Sequence, residues 1–108
     1  MERTLELTVL AVPDCPNAPE LERRLAEALA DQPAVTIARH LISSAAEAAR
    51  WQMHGSPTLL INGRDPFAEP GTSPALACRL YRAGDNRVDG APTVDELRRV
   101  LEQADGED

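Results

Sequence analysis

Short apolar runs alternate along this chain with stretches in which apolar side chains recur every three or four positions. Leu5 to Val12 is mostly apolar and rich in β-formers, which predicts a buried strand. From Asn17 the pattern changes: Leu21, Leu25, Ala28 and Leu29 fall on one face of a helix, and Glu20, Glu22, Arg23, Arg24 and Glu27 fill the other. Asn17 followed by Glu20 has the spacing of a capping pair, and Asp31-Gln32-Pro33 stops the helix.

Ala34 to Leu41 reads as a second strand, with Val35 and Ile37 on one face. Ser44-Ala45-Ala46-Glu47 is a capping box opening an alanine-rich helix that runs to about Met53. Gly55-Ser56-Pro57 breaks that pattern, and Thr58 to Ile61 forms a third strand ended by the turn pair Asn62-Gly63. Residues 64 to 76, rich in Pro, Gly and acidic side chains, form a loop longer than a hairpin needs. Ala77 to Arg82 reads as a fourth strand, Gly84 to Gly90 as a polar turn region. Thr93-Val94-Asp95-Glu96 is a capping box for a last helix with Val94, Leu97, Val100 and Leu101 inward. The order β-α-β-α-β-β-α predicts a small α/β sandwich on a partly parallel sheet.

Composition narrows the picture. With 108 residues and 43% apolar side chains, one domain over 1–104 with one modest core is expected, followed by an acidic tail over 105–108. Aromatics are only 3%, so Leu, Val, Ile and Ala must build that core. A net charge of -7 argues against nucleic acid as a partner. All 11 basic residues are arginine. No stretch reaches the roughly 18 apolar residues of a membrane span. Met1-Glu2-Arg3-Thr4 lacks the basic region and apolar core of a secretory signal, which predicts a cytoplasmic protein whose two cysteines stay reduced.

One of those cysteines, Cys15, stands at the junction of the first strand and first helix. Thiol chemistry needs the thiolate, and the unpaired N–H groups and partial positive charge of a helix N-terminus favour a sulfur anion there. Asp14 and Glu20 oppose it, and no basic residue lies within the segment. The plain alternative is a small buried hydrophobe. Cys78, on the predicted fourth strand, is either a core residue beside Leu76 and Leu80 or a second thiol able to resolve the first. Cys15, Cys78, His40 and His54 show no zinc-ligand spacing, and no cofactor motif is present. His54, three residues before Pro57, is the better placed histidine to serve Cys15 as a proton partner. Trp51 is expected to cover the sheet. Asp65-Pro66-Phe67 could form a lid, and Arg79 and Arg82 share no face with a phosphate loop.

Three segments together resemble the thioredoxin-fold family. Cys15-Pro16-Asn17-Ala18 stands where that family has its C-x-x-C motif, Gly55-Ser56-Pro57-Thr58 where it has a cis-proline, and Gly90-Ala91-Pro92 near its closing segment. The resemblance covers nearly the whole chain except an apparent insertion from Arg64 to about Leu76. It implies a four-stranded mixed sheet with Cys15 as nucleophile; Cys78, the second candidate catalytic thiol, rests on the residues themselves and not on the resemblance. The resemblance also implies that Pro16, Ser56 and Pro57 bind substrate, Ser56 offering its backbone N–H and C=O to an extended chain. Position 18 is alanine, so the family's dithiol cycle cannot run, and the chain is an atypical monothiol C-x-x-A member. The implied function is thiol–disulfide exchange or thiol redox sensing, with a small thiol or a protein thiol or disulfide as substrate. The G-S-P-T, D-P-F and C-R-L-Y segments also resemble small bacterial thioredoxin-like proteins labelled organomercurial-lyase-like. That suggests soft-metal or organomercurial binding by Cys15 and Cys78 as an alternative. A non-catalytic binding module on the same fold is the third reading.

Overall fold

A computed structural model of the chain describes residues 5–31, 35–82 and 88–106. In order, the elements are β1 (Leu7–Ala11), α1 (Ala18–Ala28), β2 (Ile37–Leu41), α2 (Ala45–Trp51), β3 (His54–Ser56) and β4 (Thr58–Ile61), then β5 (Ala75–Cys78), β6 (Tyr81–Arg82), β7 (Val88–Asp89) and α3 (Val94–Gly106). Among the described residues, no helix is long and apolar enough to cross a membrane.

β1 is the centre of a mixed three-stranded sheet. It runs parallel to β2, with Val9 opposite Arg39, and antiparallel to β4, with Val9 opposite Leu59. Side chains alternate across a pleated sheet, so β1 and β4 each feed two cores. Leu7 and Val9, with Leu59 and Ile61, pack against Leu21 and Leu25 of α1 and Leu97 and Leu101 of α3. Leu10 and Leu60 point to the opposite face and meet Ile42, Ala48 and Met53 around α2. Helices therefore cover both faces. Trp51 packs on the second cluster and lies against the His40 ring, centroids 4.3 Å apart, so it covers the sheet as its sequence position suggests.

Two capping boxes form as read. The Glu47 N–H donates to Ser44 Oγ, and the Glu96 N–H to Thr93 Oγ1, both at 3.1 Å. Asn17 caps α1 without a side-chain hydrogen bond. Its backbone is already helical, outside the extended conformation a capping side chain needs, and Glu20 pairs instead with Arg23 and Arg24.

The fourth strand differs from its expectation. Ala77 to Arg82 is not one strand beside β4, and the sheet holding β1 has three strands. The segment divides at Arg79-Leu80: Ala75–Cys78 pairs in parallel with β3, and Tyr81–Arg82 pairs with β7, which falls in the expected turn region. The physical reason is Arg79, whose guanidinium turns inward to a carboxylate and interrupts the edge. Gly55 and Ser56, expected as a breaker, belong to β3. Residues 32–34, 83–87 and 107–108, which include parts of the expected helix stop, turn and acidic tail, lie outside the described residues.

Candidate functional site

Cys15 is delivered by a turn written into Val12-Pro13-Asp14-Cys15. Proline at the second position sets its own φ, and Asp14 at the third has φ 62°, a left-handed conformation that aspartate tolerates. The Cys15 N–H closes the turn on the Val12 carbonyl at 3.2 Å. The Cys15 carbonyl then accepts the Ala18 N–H as α1 begins. Cys15 packs with Ala11, Ala18 and Val12 and keeps 8% of its surface exposed. Pro16 is exposed, outside the first turn of α1. Pro19 takes the early-helix position instead, where its missing N–H removes a donor without an intrahelical partner.

Against this turn lies the Gly55-Ser56-Pro57-Thr58 segment. The Ser56–Pro57 bond is cis. The Val12 N–H donates to Ser56 Oγ at 3.0 Å, which ties the residue before the proline to the turn that carries Cys15. The Tyr81 hydroxyl donates to the Pro57 carbonyl at 2.5 Å. Burial raises the Tyr81 pKa above the usual tyrosine value; the Arg79 cation lowers it, while Asp65 and a Cys15 thiolate add to the rise.

The polar anchor of the site is Arg79, 9% exposed. Its guanidinium donates to Asp65 at 2.6 Å, to the Phe67 carbonyl at 2.8 Å and to Thr58 Oγ1 at 3.1 Å, and lies over the Tyr81 ring 4.6 Å from its centroid. Phe67 meets the same ring edge-on at 5.6 Å. Asp65-Pro66-Phe67 is therefore pinned to the Arg79-Leu80-Tyr81 segment. A buried arginine is tolerable only with its donors satisfied, and here carboxylate, carbonyl and hydroxyl supply the acceptors.

β5 runs along β3 with Cys78 in register with Ser56, and the Arg79 N–H donates to the Ser56 carbonyl at 3.0 Å. The Ser56 carbonyl, expected to receive an extended substrate, is occupied by the chain itself. Gly55 makes the close approach possible. It has φ 105°, and a Cβ there would stand 2.8 Å from Arg79 Cβ and 3.2 Å from the Ala77 carbonyl oxygen.

Cys78 is exposed, and so is its neighbour Leu80 at 65%. The core placement considered for Cys78 is overturned: Leu76 of β5 packs on the cluster around α2, but Ala77 and Cys78 at the end of the strand are exposed. Both cysteines are free thiols. His54 Nδ1 is 2.9 Å from Thr72 Oγ1, whose own proton goes to the Glu69 carbonyl, so His54 fastens the long loop. Among the described residues, no group of three or more His, Cys, Asp and Glu side chains gathers as metal ligands would.

The sequence singles out Cys15 and Pro57 and offers Asp65 only as part of a lid; it gives no role to Arg79, Thr58 or Tyr81. A faint signal was present: Arg79 and Tyr81 are two apart, hence on one face of an extended segment. Nothing in the sequence says that this face turns inward. Comparison with known proteins adds no relative: no family model, curated protein or solved structure matches the chain.

Proposed function

We propose that this chain is an atypical thioredoxin-like protein in which Cys15 carries out thiol–disulfide exchange, or senses thiol redox state, with a small thiol. The observation that carries the reading is the hydrogen bond from the Val12 N–H to Ser56 Oγ, which joins the prolyl segment to the cysteine turn. The arrangement around it agrees with such a fold. A central β1 lies between a parallel and an antiparallel neighbour, α1 and α3 cover one face and α2 the other.

The chemistry follows from a single sulfur at the start of α1, 8% exposed, and an alanine at position 18. The Cys15 thiolate attacks one sulfur of a small disulfide; a Cys15 mixed disulfide forms, the original S–S bond breaks, and a thiolate leaves. A second small thiolate attacks the mixed disulfide, regenerates the Cys15 thiolate and departs as the new disulfide. Two electrons pass between the small molecules, and the proton released by Cys15 is matched by the one its leaving thiolate takes up. Resolution is assigned to a second small thiol because Cys78 is exposed on β5 while Cys15 is buried beside α1.

The test uses Cys78→Ser, which leaves one thiol. At neutral pH the folded variant, mixed with 2-hydroxyethyl disulfide, should form the Cys15 adduct faster than the same chain in denaturant, as read by mass spectrometry. A folded-state rate no greater than the unfolded one sinks the exchange reading. Stoichiometric mercury(II) binding, lost in both Cys15→Ser and Cys78→Ser, would replace it with soft-metal binding.

A further inference from the structure

We propose that Ala75–Arg79 is a built-in strand closing the backbone edge beside Cys15, and that the Arg79–Asp65 pair is the latch that makes the site selective for small thiols over polypeptides. The functional half of this inference rests on the thiol-exchange reading; the structural half does not.

Three observations converge. An exposed strand edge is a template for another strand. β3 is short, and its residue beside Pro57 would be such an edge, yet β5 lies along it and the Arg79 N–H takes the Ser56 carbonyl. Gly55 is shaped for this occupant, since a side chain there would collide with Arg79 and approach Ala77. The occupant is also held from outside the ladder. Arg79 reaches Asp65 and the Phe67 carbonyl of the long loop and Thr58 at the start of β4, so the segment is fixed on three sides. Tyr81, two residues on, returns to the Pro57 carbonyl. Through Arg79 and Tyr81, the two sides of the cis-proline segment are both satisfied by one stretch of chain.

The consequence is a division by size. A small disulfide needs only a path to Cys15 Sγ. A polypeptide disulfide also needs main-chain partners to hold it in place, and the Ser56 carbonyl is not available to it while β5 is docked. Arg79 and Asp65 act through the strand they hold and have no contact with the reacting sulfur, so they are specificity residues rather than catalytic ones.

The experiment compares the Cys78→Ser protein with the same protein carrying Asp65→Asn, and with a second latch variant, Arg79→Lys, in case the first fails to fold. Amide hydrogen exchange reads the strand directly. The Arg79 N–H should be protected like those of β1 in the parent and exchange at least tenfold faster in a folded latch variant. The second readout is the ratio of Cys15 adduct rates with an eight-residue peptide disulfide and with 2-hydroxyethyl disulfide. That ratio should rise tenfold or more when the latch is broken. An unprotected Arg79 N–H in the parent overturns the docked strand, and lost protection with an unmoved ratio overturns the selectivity. If Cys15 reacts with neither probe in any protein, the exchange reading falls separately. The strand is then judged by the exchange data and by whether a cysteine-free peptide shifts the His54–Ser56 amide resonances in the latch variant alone. A shift confined to that variant supports edge closure, and no shift overturns it.

Discussion

The Tyr81 hydroxyl donates to the carbonyl of Pro57, and through that bond the two-residue strand β6, paired with β7, buttresses the prolyl segment that is tied to the cysteine turn. Tyr81 is the chain's one tyrosine, so its ionisation can be followed by ultraviolet absorbance without ambiguity. Its pKa is raised in the folded state, by burial first, so the folded protein holds the phenolic proton more tightly than the unfolded chain. The stability this contributes is full below pH 10 and declines as pH rises beyond it. The absorbance change should therefore coincide with alkaline unfolding. A tyrosine that titrates near pH 10 while the far-ultraviolet circular dichroism remains native would contradict this placement. Tyr81→Phe leaves a buried carbonyl unpaired and should cost about 1–3 kcal/mol in denaturant titration.

Arg79 and Asp65 form an ion pair with side chains 9% and 8% exposed, in contrast to the largely solvated pairs on α1. Removing one member strands the other in a dry site. Arg79→Ala should destabilise by about 3–5 kcal/mol, whereas breaking the exposed Arg23–Glu27 pair by Glu27→Gln should cost below about 1 kcal/mol. Comparable losses for the two variants in chemical denaturation would show that Arg79 is not buried as described.

Gly55 and Gly90 are each needed for a close approach, with different neighbours. Gly55→Ala meets a positive φ and the Arg79 backbone, which cannot withdraw without undocking β5; a loss of about 3 kcal/mol is expected. A Cβ at Gly90 would stand 2.4 Å from the Asn17 side-chain amide, which a second substitution can remove. Gly90→Ala should therefore be rescued by Asn17→Ala, and Gly55→Ala should not. A thermal-unfolding double-mutant cycle measures the difference, and purely additive effects at Gly90 and Asn17 would refute the contact.

Glu20 answers to two guanidiniums. Hydrogen bonds from Arg23 and then Arg24 lower its pKa to about 2, from an unfolded value of 4.5. A depressed carboxylate contributes stability above the unfolded value and loses it as pH falls toward the folded one. The melting-temperature gap between the parent and Glu20→Gln should be present at neutral pH and close as the solution is taken from pH 4.5 towards about 2. A gap that persists unchanged at the acid end would mean that Glu20 acts through packing rather than charge.

The chain's local grammar was legible in its residues. Leu7 and Val9 against Leu10, Leu21 with Leu25, and Leu97 with Leu101 carry the strand and helix periods in the sequence itself. The Ser44–Glu47 and Thr93–Glu96 boxes are contacts between near neighbours. These features depend on φ preferences, spacing and side-chain chemistry within a few positions, which are properties of the string. What the string could not settle is where the segment after the long loop goes. Arg79 falls inside the expected fourth strand, and only packing brings Asp65, Phe67 and Thr58 together around it, from 14, 12 and 21 positions away. That choice splits the expected fourth strand, places β5 on β3 instead of β4, and exposes Cys78. The balance between desolvating a charge and satisfying it is decided by groups distant in sequence, so the three-dimensional fold alone decides which backbone edge beside Cys15 stays open.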